Sequence, residues 1–545
     1  MDTLQHTTVL VLGLGESGLA MARWCARLGA EVRVWDSREQ PANAAALAEH
    51  VPAAQWVRGP LTDEAFAGVD LVLKSPGLSP QDERIAAALK HAADRGLPVQ
   101  GELDLFARAL ADLETERGYA PAVLAITGTN GKTTTTAMAA QLIARAGKRV
   151  AVAGNIGPTM LQTLADALDL EPAAAPTIAP AAPEPAAPVF EFLPEVWVLE
   201  LSSFQLDDVT GFEPSAAAVL NITQDHLDWH GAMAHYIAAK ARVFGRNAVM
   251  VINRDDPLVE ALVPVPEVVK GAGGGKRGRK PPTVDRQVVR FGLGAPQRPG
   301  DFGLVDENGM AWLVRARELD ETLKRGKGGK GKAGGEERGE PEELLIQRLM
   351  PADALRVRGR HNAANALAAL ALATAIGCPL APMLHGLREY TGEPHRVQYI
   401  ASLRGIDAFD DSKGTNVGAA VAALNGLGGD RAPARLVVIL GGDGKGQDFA
   451  PLAEPVRRHA RAVATIGRDA ALVEAALAGT GVPLQRHATL QAATRWAFEH
   501  AEGGDAVLLS PACASLDMFR DYAHRAEVFA AEVRAIVADH GGLAA

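Results

Sequence analysis

Cysteine is scarce here: Cys25, Cys378 and Cys513 are the whole supply in 545 residues. An odd, scattered set builds neither a disulfide framework nor a zinc-ligand spacing, so a reducing, cytoplasmic compartment is expected. Long apolar runs are missing too. A bilayer span needs about twenty apolar residues. The nearest approach, 363–378, is shorter and sits beside Asn362 and Asn365, so it reads as a buried helix and no membrane insertion is expected. The N-terminus carries Asp2 and lacks the basic run that opens a signal peptide. An excess of positive charge is also absent, with 55 basic against 65 acidic residues and a net charge of -10. That argues against a general nucleic-acid or anionic-membrane binder, while leaving local phosphate pockets open. No repeat of solenoid period is found.

Hydrophobic residues, at 48%, are plentiful enough for real cores, and the length suits three or four domains. Strand-like and helix-like patterns alternate, which predicts an α/β protein with largely parallel sheets. Apolar strands are expected at 9–12, 32–35 and 71–73, at 123–126, 196–199 and 217–220, and at 436–440, 462–466 and 506–509. Each set begins anew with a strand and a loop. Boundaries near 100 and 393 follow, giving domains 1–100, 101–392 and 393–545. Three segments break the pattern: the Ala/Pro-rich 171–188 and the Gly/Lys-rich 271–282 and 325–339. None can bury enough apolar side chain to offset its ordering entropy, so all three read as disordered surface insertions. The two basic ones carry no interleaved aromatics for base stacking, so no nucleic-acid partner is expected.

Two glycine loops follow strands. The first, Gly13-Leu-Gly-Glu-Ser-Gly18, opens a helix, and Asp36 ends the next strand. That is the fingerprint of a Rossmann-type diphosphate site, with backbone N–H groups and a helix N-terminus facing the phosphates. Alone it suggests an NAD-dependent dehydrogenase, but nothing downstream supplies a recognisable hydride-transfer site. The second, Thr127-Gly-Thr-Asn-Gly-Lys-Thr-Thr134, is a shortened phosphate loop, with a helix expected from about 135 to 146. Gly128 and Gly131 let N–H groups point inward, Lys132 can meet the β- and γ-phosphates, and Thr133 or Thr134 can offer a hydroxyl to Mg²⁺.

Further candidates lie at strand ends. Glu200 is placed where phosphate-loop proteins carry a Mg²⁺-binding acid. Asp225-His226 follows another strand. Lys240 lies on a helix, where spacing alone leaves it a surface lysine. Asn362 and Asn365 share a helix face and could hold an adenine edge or a ribose, or equally cap the helix. The loops Asp410–Asn416, Gly441–Gly446 and Ser510–Ser515 carry Lys, Thr and Ser and suggest a pocket for a small carboxylate.

In order along the chain, GLGESG, SPG, TGTNGKTT, GNIG, ELSSFQL, DHLDWH, HNAAN, PHR, DSKGTN, GGDGKG and SPACASLDMF resemble the Mur ligase family. The resemblance implies three domains: an N-terminal Rossmann-like nucleotide-binding domain, a central phosphate-loop ATPase domain and a C-terminal Rossmann-like domain. It implies an amide-forming ligase that consumes ATP with two Mg²⁺ ions and joins D-glutamate to UDP-N-acetylmuramoyl-L-alanine. By this resemblance Gly15, Glu16, Ser17, Asp36, Ser37, Arg38, Ser75, Asn155 and His226 would take the UDP-sugar. ATP would lie on Gly128, Thr129, Asn130, Gly131, Lys132, Thr133, Thr134, Asn362, Asn365, Arg396 and Asp411. Metal would be held by Thr133, Glu200, His226 and Lys240, the last as an N-carbamate, and Lys132, Glu200, His226 and Lys240 would serve catalysis. D-Glutamate would meet Lys413, Thr415, Lys445, Ser515, Leu516 and Tyr522. A monomer is expected. Two other readings stay open: a related ligase of the folate-polyglutamate type, against which the GLGESG loop argues, and a regulatory protein using ATP as a switch, which would not need the Lys445 and Ser515 loops.

Overall fold

The computed structural model describes residues 4–172, 189–265, 267–268, 283–284, 286–318, 344–357, 359–430 and 433–540. The expected insertions at 271–282 and 325–339, and 171–188 beyond residue 172, lie outside the described residues. Three largely parallel sheets organise the rest, and each carries a candidate loop at the C-terminal ends of its strands.

The first sheet has five strands in the order Gln55–Val57, Glu31–Trp35, Thr8–Leu12, Leu71–Lys74 and Val99–Gln100, all parallel. Its central strand is apolar on both faces because helices cover both sides. Chain order reverses across Thr8–Leu12, so the crevice of this sheet opens where the first glycine loop begins.

The second sheet has six parallel strands in the order Val288–Phe291, Val249–Asn253, Ala216–Val219, Ala122–Thr127, Val196–Glu200 and Val150–Gly154. Register pairs Ile126 with Glu200 and Thr127 with Val219, which sets the acid beside the phosphate loop. The helix Arg360–Ala375 is almost wholly buried against Lys132–Arg145 in one apolar cluster. The buried helix expected at 363–378 is therefore present. An antiparallel sheet of Phe302–Glu307, Met310–Glu318 and Leu344–Pro351 was not foreseen. Its last two strands are neighbours in space but separated in sequence by a long polar stretch, which hides the pairing.

The third sheet has six strands in the order Gln398–Leu403, Ile406–Asp410, Ala506–Leu509, Leu436–Gly441, Ala460–Ile466 and Leu484–Arg486. Only its first pair is antiparallel; the other pairs are parallel. Three adjacent strands therefore end in the loops that carry Lys413, Lys445 and Ser515.

Among the described residues no helix is long and apolar enough to cross a membrane. The three cysteines are buried and unpaired.

Candidate active site

The first glycine loop is braced within its own sheet. Gly13 adopts φ +85, and a Cβ on Gly18 would lie 1.9 Å from the Gly13 carbonyl, so only glycine allows this closure. The Leu14 N–H donates to Asp36 Oδ2 at 2.7 Å, and the Ser75 hydroxyl donates to the Gly13 carbonyl at 2.7 Å. Arg38 clamps Asp36 bidentately, through Nε at 2.8 Å and Nη2 at 2.8 Å. Burial alone would raise the Asp36 carboxyl, yet the bonds from Arg38 and the Leu14 N–H hold it down at about 2. Asn43 donates to Glu16 at 3.2 Å, Gly15 precedes the helix Glu16–Arg27, and Ser37 stays exposed. The expected UDP-sugar residues thus gather around one crevice, except Asn155 and His226, which belong to the second sheet.

The second loop concentrates charge. The helix Lys132–Arg145 begins at Lys132 rather than near 135, because Gly131 at φ +83 turns the chain directly into the helix. The Lys132 ammonium folds back onto the Gly128 and Thr129 carbonyls at 2.9 Å each. Lys240 departs from the surface position that spacing gave it. It is 1% exposed, donates to the Gly128 carbonyl at 2.8 Å, and lies 4.5 Å over the Tyr236 ring. Burial, and next the neighbouring Lys132, push its pKa well below the ordinary lysine value. Burial likewise lowers Lys132, against the pull of Glu200 and Asp225.

Glu200 is 1% exposed. Its Oε1 accepts from Asn155 Nδ2 at 2.8 Å, whereas Oε2 is buried with no hydrogen-bond partner. A buried carboxylate oxygen without a donor, beside a phosphate loop, fits a cation. Thr133 is buried there as well, and its hydroxyl accepts from Arg396 at 3.2 Å. His226, at φ +53, sits against Asp225 and the Phe204 ring. Burial lowers its pKa; Asp225 pulls the other way, and Lys445 of the third sheet reinforces the fall. Among the described residues no three His, Cys, Asp or Glu side chains group into a ready-made metal nest. A Mg²⁺ ion here would draw much of its shell from phosphate and water.

A cavity lies between the second and third sheets. Asn130, Gly131, Thr134, Asn362, Asn365, Arg396 and Asp411 line it, seven of the eleven residues expected to meet ATP, whereas Gly128, Thr129, Lys132 and Thr133 are not among its lining residues. Asn365 donates to Asn362 at 3.2 Å, and Gly359 holds the helix N-cap position in their place. His361 also lines the cavity and was missed, although it stands inside HNAAN. Burial, and next Arg396, lower it to about 4. Asp411 is pushed up to about 7 by burial, against the Ser510 hydroxyl that donates to it at 2.7 Å.

The three loops of the third sheet are tied together. Asp443 and Ala514 exchange backbone bonds at 3.0 and 2.8 Å, and the Ala512 N–H donates to Gly414 at 3.1 Å. Arg525, wholly buried, was missed because a helix arginine reads as surface. It donates to the Ser412 hydroxyl and carbonyl and to the Cys513 carbonyl, at 2.9, 2.7 and 3.1 Å. Lys413 lies 5.6 Å over the Tyr522 ring, and burial lowers its pKa. Lys445 adopts φ +51, and Ser515 is buried. Leu516 is 72% exposed, so it stands apart from the packed wall.

A phosphate loop that shares one cavity with Arg396 and Asp411 of the third domain points to a nucleotide-dependent enzyme. Family models match in the order Mur ligase MurD-like, N-terminal domain over 7–101, Mur ligase middle domain over 126–268, and Mur ligase, glutamate ligase domain over 395–513. The chain belongs to the Mur ligase family. The UDP-N-acetylmuramoylalanine–D-glutamate ligase of Albidiferax ferrireducens is 57% identical, over 98% of this chain and 97% of that one. The enzyme of that name from Burkholderia pseudomallei (strain 668) is 55% identical, over 98% of each. Among solved structures, UDP-N-acetylmuramate-alanine ligase from Thermotoga maritima matches with TM-score 0.52 at 19% identity, over 97% of this chain and 100% of that one. The MurF ligase of Thermotoga maritima, in complex with ADP, also matches with TM-score 0.52, at 14% identity over 98% and 96%. These two likenesses show the fold.

Proposed function

We propose that this chain uses ATP to join D-glutamate to UDP-N-acetylmuramoyl-L-alanine, a step of peptidoglycan precursor synthesis. The observation that carries the reading is the orphaned Glu200 oxygen beside Lys132, with Lys413 close enough to feel both charges and Lys445 close enough to act on His226. The full-length identity to relatives that bear the D-glutamate ligase name supports the choice of amino acid. Residues 1–100 would hold the UDP end, 101–392 the ATP, and 393–545 the D-glutamate. The enzyme would act in the cytoplasm as a monomer.

A carboxylate is a poor electrophile because oxide cannot leave. The γ-phosphoryl group of ATP therefore passes to the carboxylate of the L-alanyl end, giving an acyl phosphate and ADP. The amine of D-glutamate attacks the acyl carbon, the amine proton departs, and inorganic phosphate leaves from the tetrahedral intermediate. Lys132 offsets charge on the transferring phosphoryl, and Asn362, Asn365 and Arg396 orient the nucleotide. Lys413, Lys445 and Ser515 face the incoming amino acid. Mg²⁺, held at Thr133, Glu200, His226 and Lys240, would supply Lewis-acid charge neutralisation. An ammonium has no acceptor, so Lys240 can contribute to that set only as a carbamate. Its burial favours the neutral amine that CO₂ requires.

Phosphate release from ATP with UDP-N-acetylmuramoyl-L-alanine and each candidate amino acid tests the reading. D-Glutamate should dominate; equal or better turnover with L-glutamate, L-alanine or a diamino acid would overturn it.

A further inference from the structure

Asn416 closes the Asp410–Asn416 loop and touches the phosphate loop of the second sheet. Its Nδ2 donates to Asn130 Oδ1 at 3.0 Å, and Asn130 Nδ2 donates back to Asn416 Oδ1 at 3.1 Å. Each residue is held by further partners. Asn416 Oδ1 also accepts from the Ala419 N–H at 2.8 Å, capping the helix Val417–Asp430, and Nδ2 also reaches Asp225 Oδ2 at 3.3 Å. The Asn130 backbone is pinned in turn, its N–H donating to Asn221 Oδ1 at 2.8 Å and its carbonyl accepting from Asn221 Nδ2 at 2.9 Å. Asn416 is 5% exposed, so the exchange is shielded from water.

The approach needs a glycine nearby. A Cβ on Gly418 would stand 2.9 Å from Thr223 Oγ1 and 3.0 Å from Asn130 Nδ2. Gly418 lies in the first turn of a helix, a place where its flexibility is a cost rather than a need. Close approach of the two domains gives it a reason to be there.

We propose that Asn416 is a positioning residue that registers the amino-acid loop on the ATP loop, so that D-glutamate and ATP bind with positive coupling. The inference rests on the functional reading above and deepens it. Lys413 and Thr415 precede Asn416 in one loop, and Lys132 follows Asn130 in the other. The paired amides therefore fix the distance between the group that receives D-glutamate and the group that steers the γ-phosphate. Ligand ordering in one loop is felt in the other through this pair.

The test uses the full chain with UDP-N-acetylmuramoyl-L-alanine and a non-hydrolysable ATP analogue, and measures D-glutamate affinity by calorimetry with and without the analogue. Asn416→Ser keeps an N-cap but is too short to reach Asn130. Gly418→Ala favours the helix yet wedges the contact apart. Wild type should bind D-glutamate more tightly with the analogue present. Both variants should lose about tenfold of that tightening, as expected for two shielded hydrogen bonds, while both remain cooperatively folded and UDP-sugar affinity is unchanged. Asn130→Ala combined with Asn416→Ser should cost the coupling little more than either alone. Coupling absent in wild type, or intact in both Asn416→Ser and Gly418→Ala, overturns the proposal. If wild type turns over D-glutamate normally in that case, the functional reading stands; without such turnover both fall.

Discussion

The two glycine loops share one local grammar of strand, glycine turn and helix, yet they are built for different work. Around the first, the nearby guanidinium of Arg38 is already spent on Asp36, and Ser75 of the same sheet braces the turn. Backbone N–H groups are left to meet an anion, which suits a diphosphate held in place. Around the second, the buried Lys240, the half-buried Lys132 and a half-satisfied carboxylate lie together, and braces arrive from the third domain. The contrast shows that a glycine motif announces a phosphate, whereas the buried charges around it decide whether the phosphate is merely gripped or transferred.

Breaking the second loop should have the largest effect. Lys132→Ala should lower turnover by about a thousandfold or more while UDP-sugar binding by calorimetry survives; loss of both in a folded variant would merge the two sites. Lys240→Arg comes next. It keeps a cation but cannot form a carbamate, so activity should fall about a hundredfold. Wild type should weaken in CO₂-depleted buffer and recover with bicarbonate. An active arginine variant would remove Lys240 from the metal set.

The first loop should respond more mildly. Asp36→Ala removes the carboxylate shared by the Leu14 N–H and Arg38, and should raise the KM for the UDP-sugar about tenfold without moving the KM for ATP. An equal rise in both would show that the loops are not independent.

The smallest effect is a pH dependence of stability at the ATP cavity. His361 is held at about 4 by burial and Arg396, below the ordinary histidine value. Both folded and unfolded chains carry it neutral above that value. As pH falls from about 6.5 to about 4 the unfolded chain takes the proton first, so stability falls. His361→Gln should flatten this decline by on the order of 1–3 kcal/mol in denaturant titrations at pH 7.5 and 4.5. Parallel curves for the two proteins would show that His361 does not set it.

Much was legible in one dimension. The strands expected at 9–12, 123–126, 196–199 and 506–509 are present as Thr8–Leu12, Ala122–Thr127, Val196–Glu200 and Ala506–Leu509. Parallel strands buried on both faces must be continuously apolar, and that signal survives in sequence. Both glycine loops were readable for a similar reason, since backbone approach to phosphate demands glycine at fixed offsets.

Long-range partnership was not legible. Lys240 read as a surface lysine because spacing reports the face of a helix and says nothing about what covers that face. Arg525 and Asn416 were passed over for the same reason, since their partners lie on other elements or, for Asn416, in another domain. The antiparallel pairing of Met310–Glu318 with Leu344–Pro351 was hidden by the residues between them. By itself the sequence determined where the apolar strands and the glycine turns lie, because those depend on local periodicity and backbone freedom. The tertiary structure alone decided which charges are buried together and which loops face each other, because desolvation and packing depend on neighbours brought in from far along the chain.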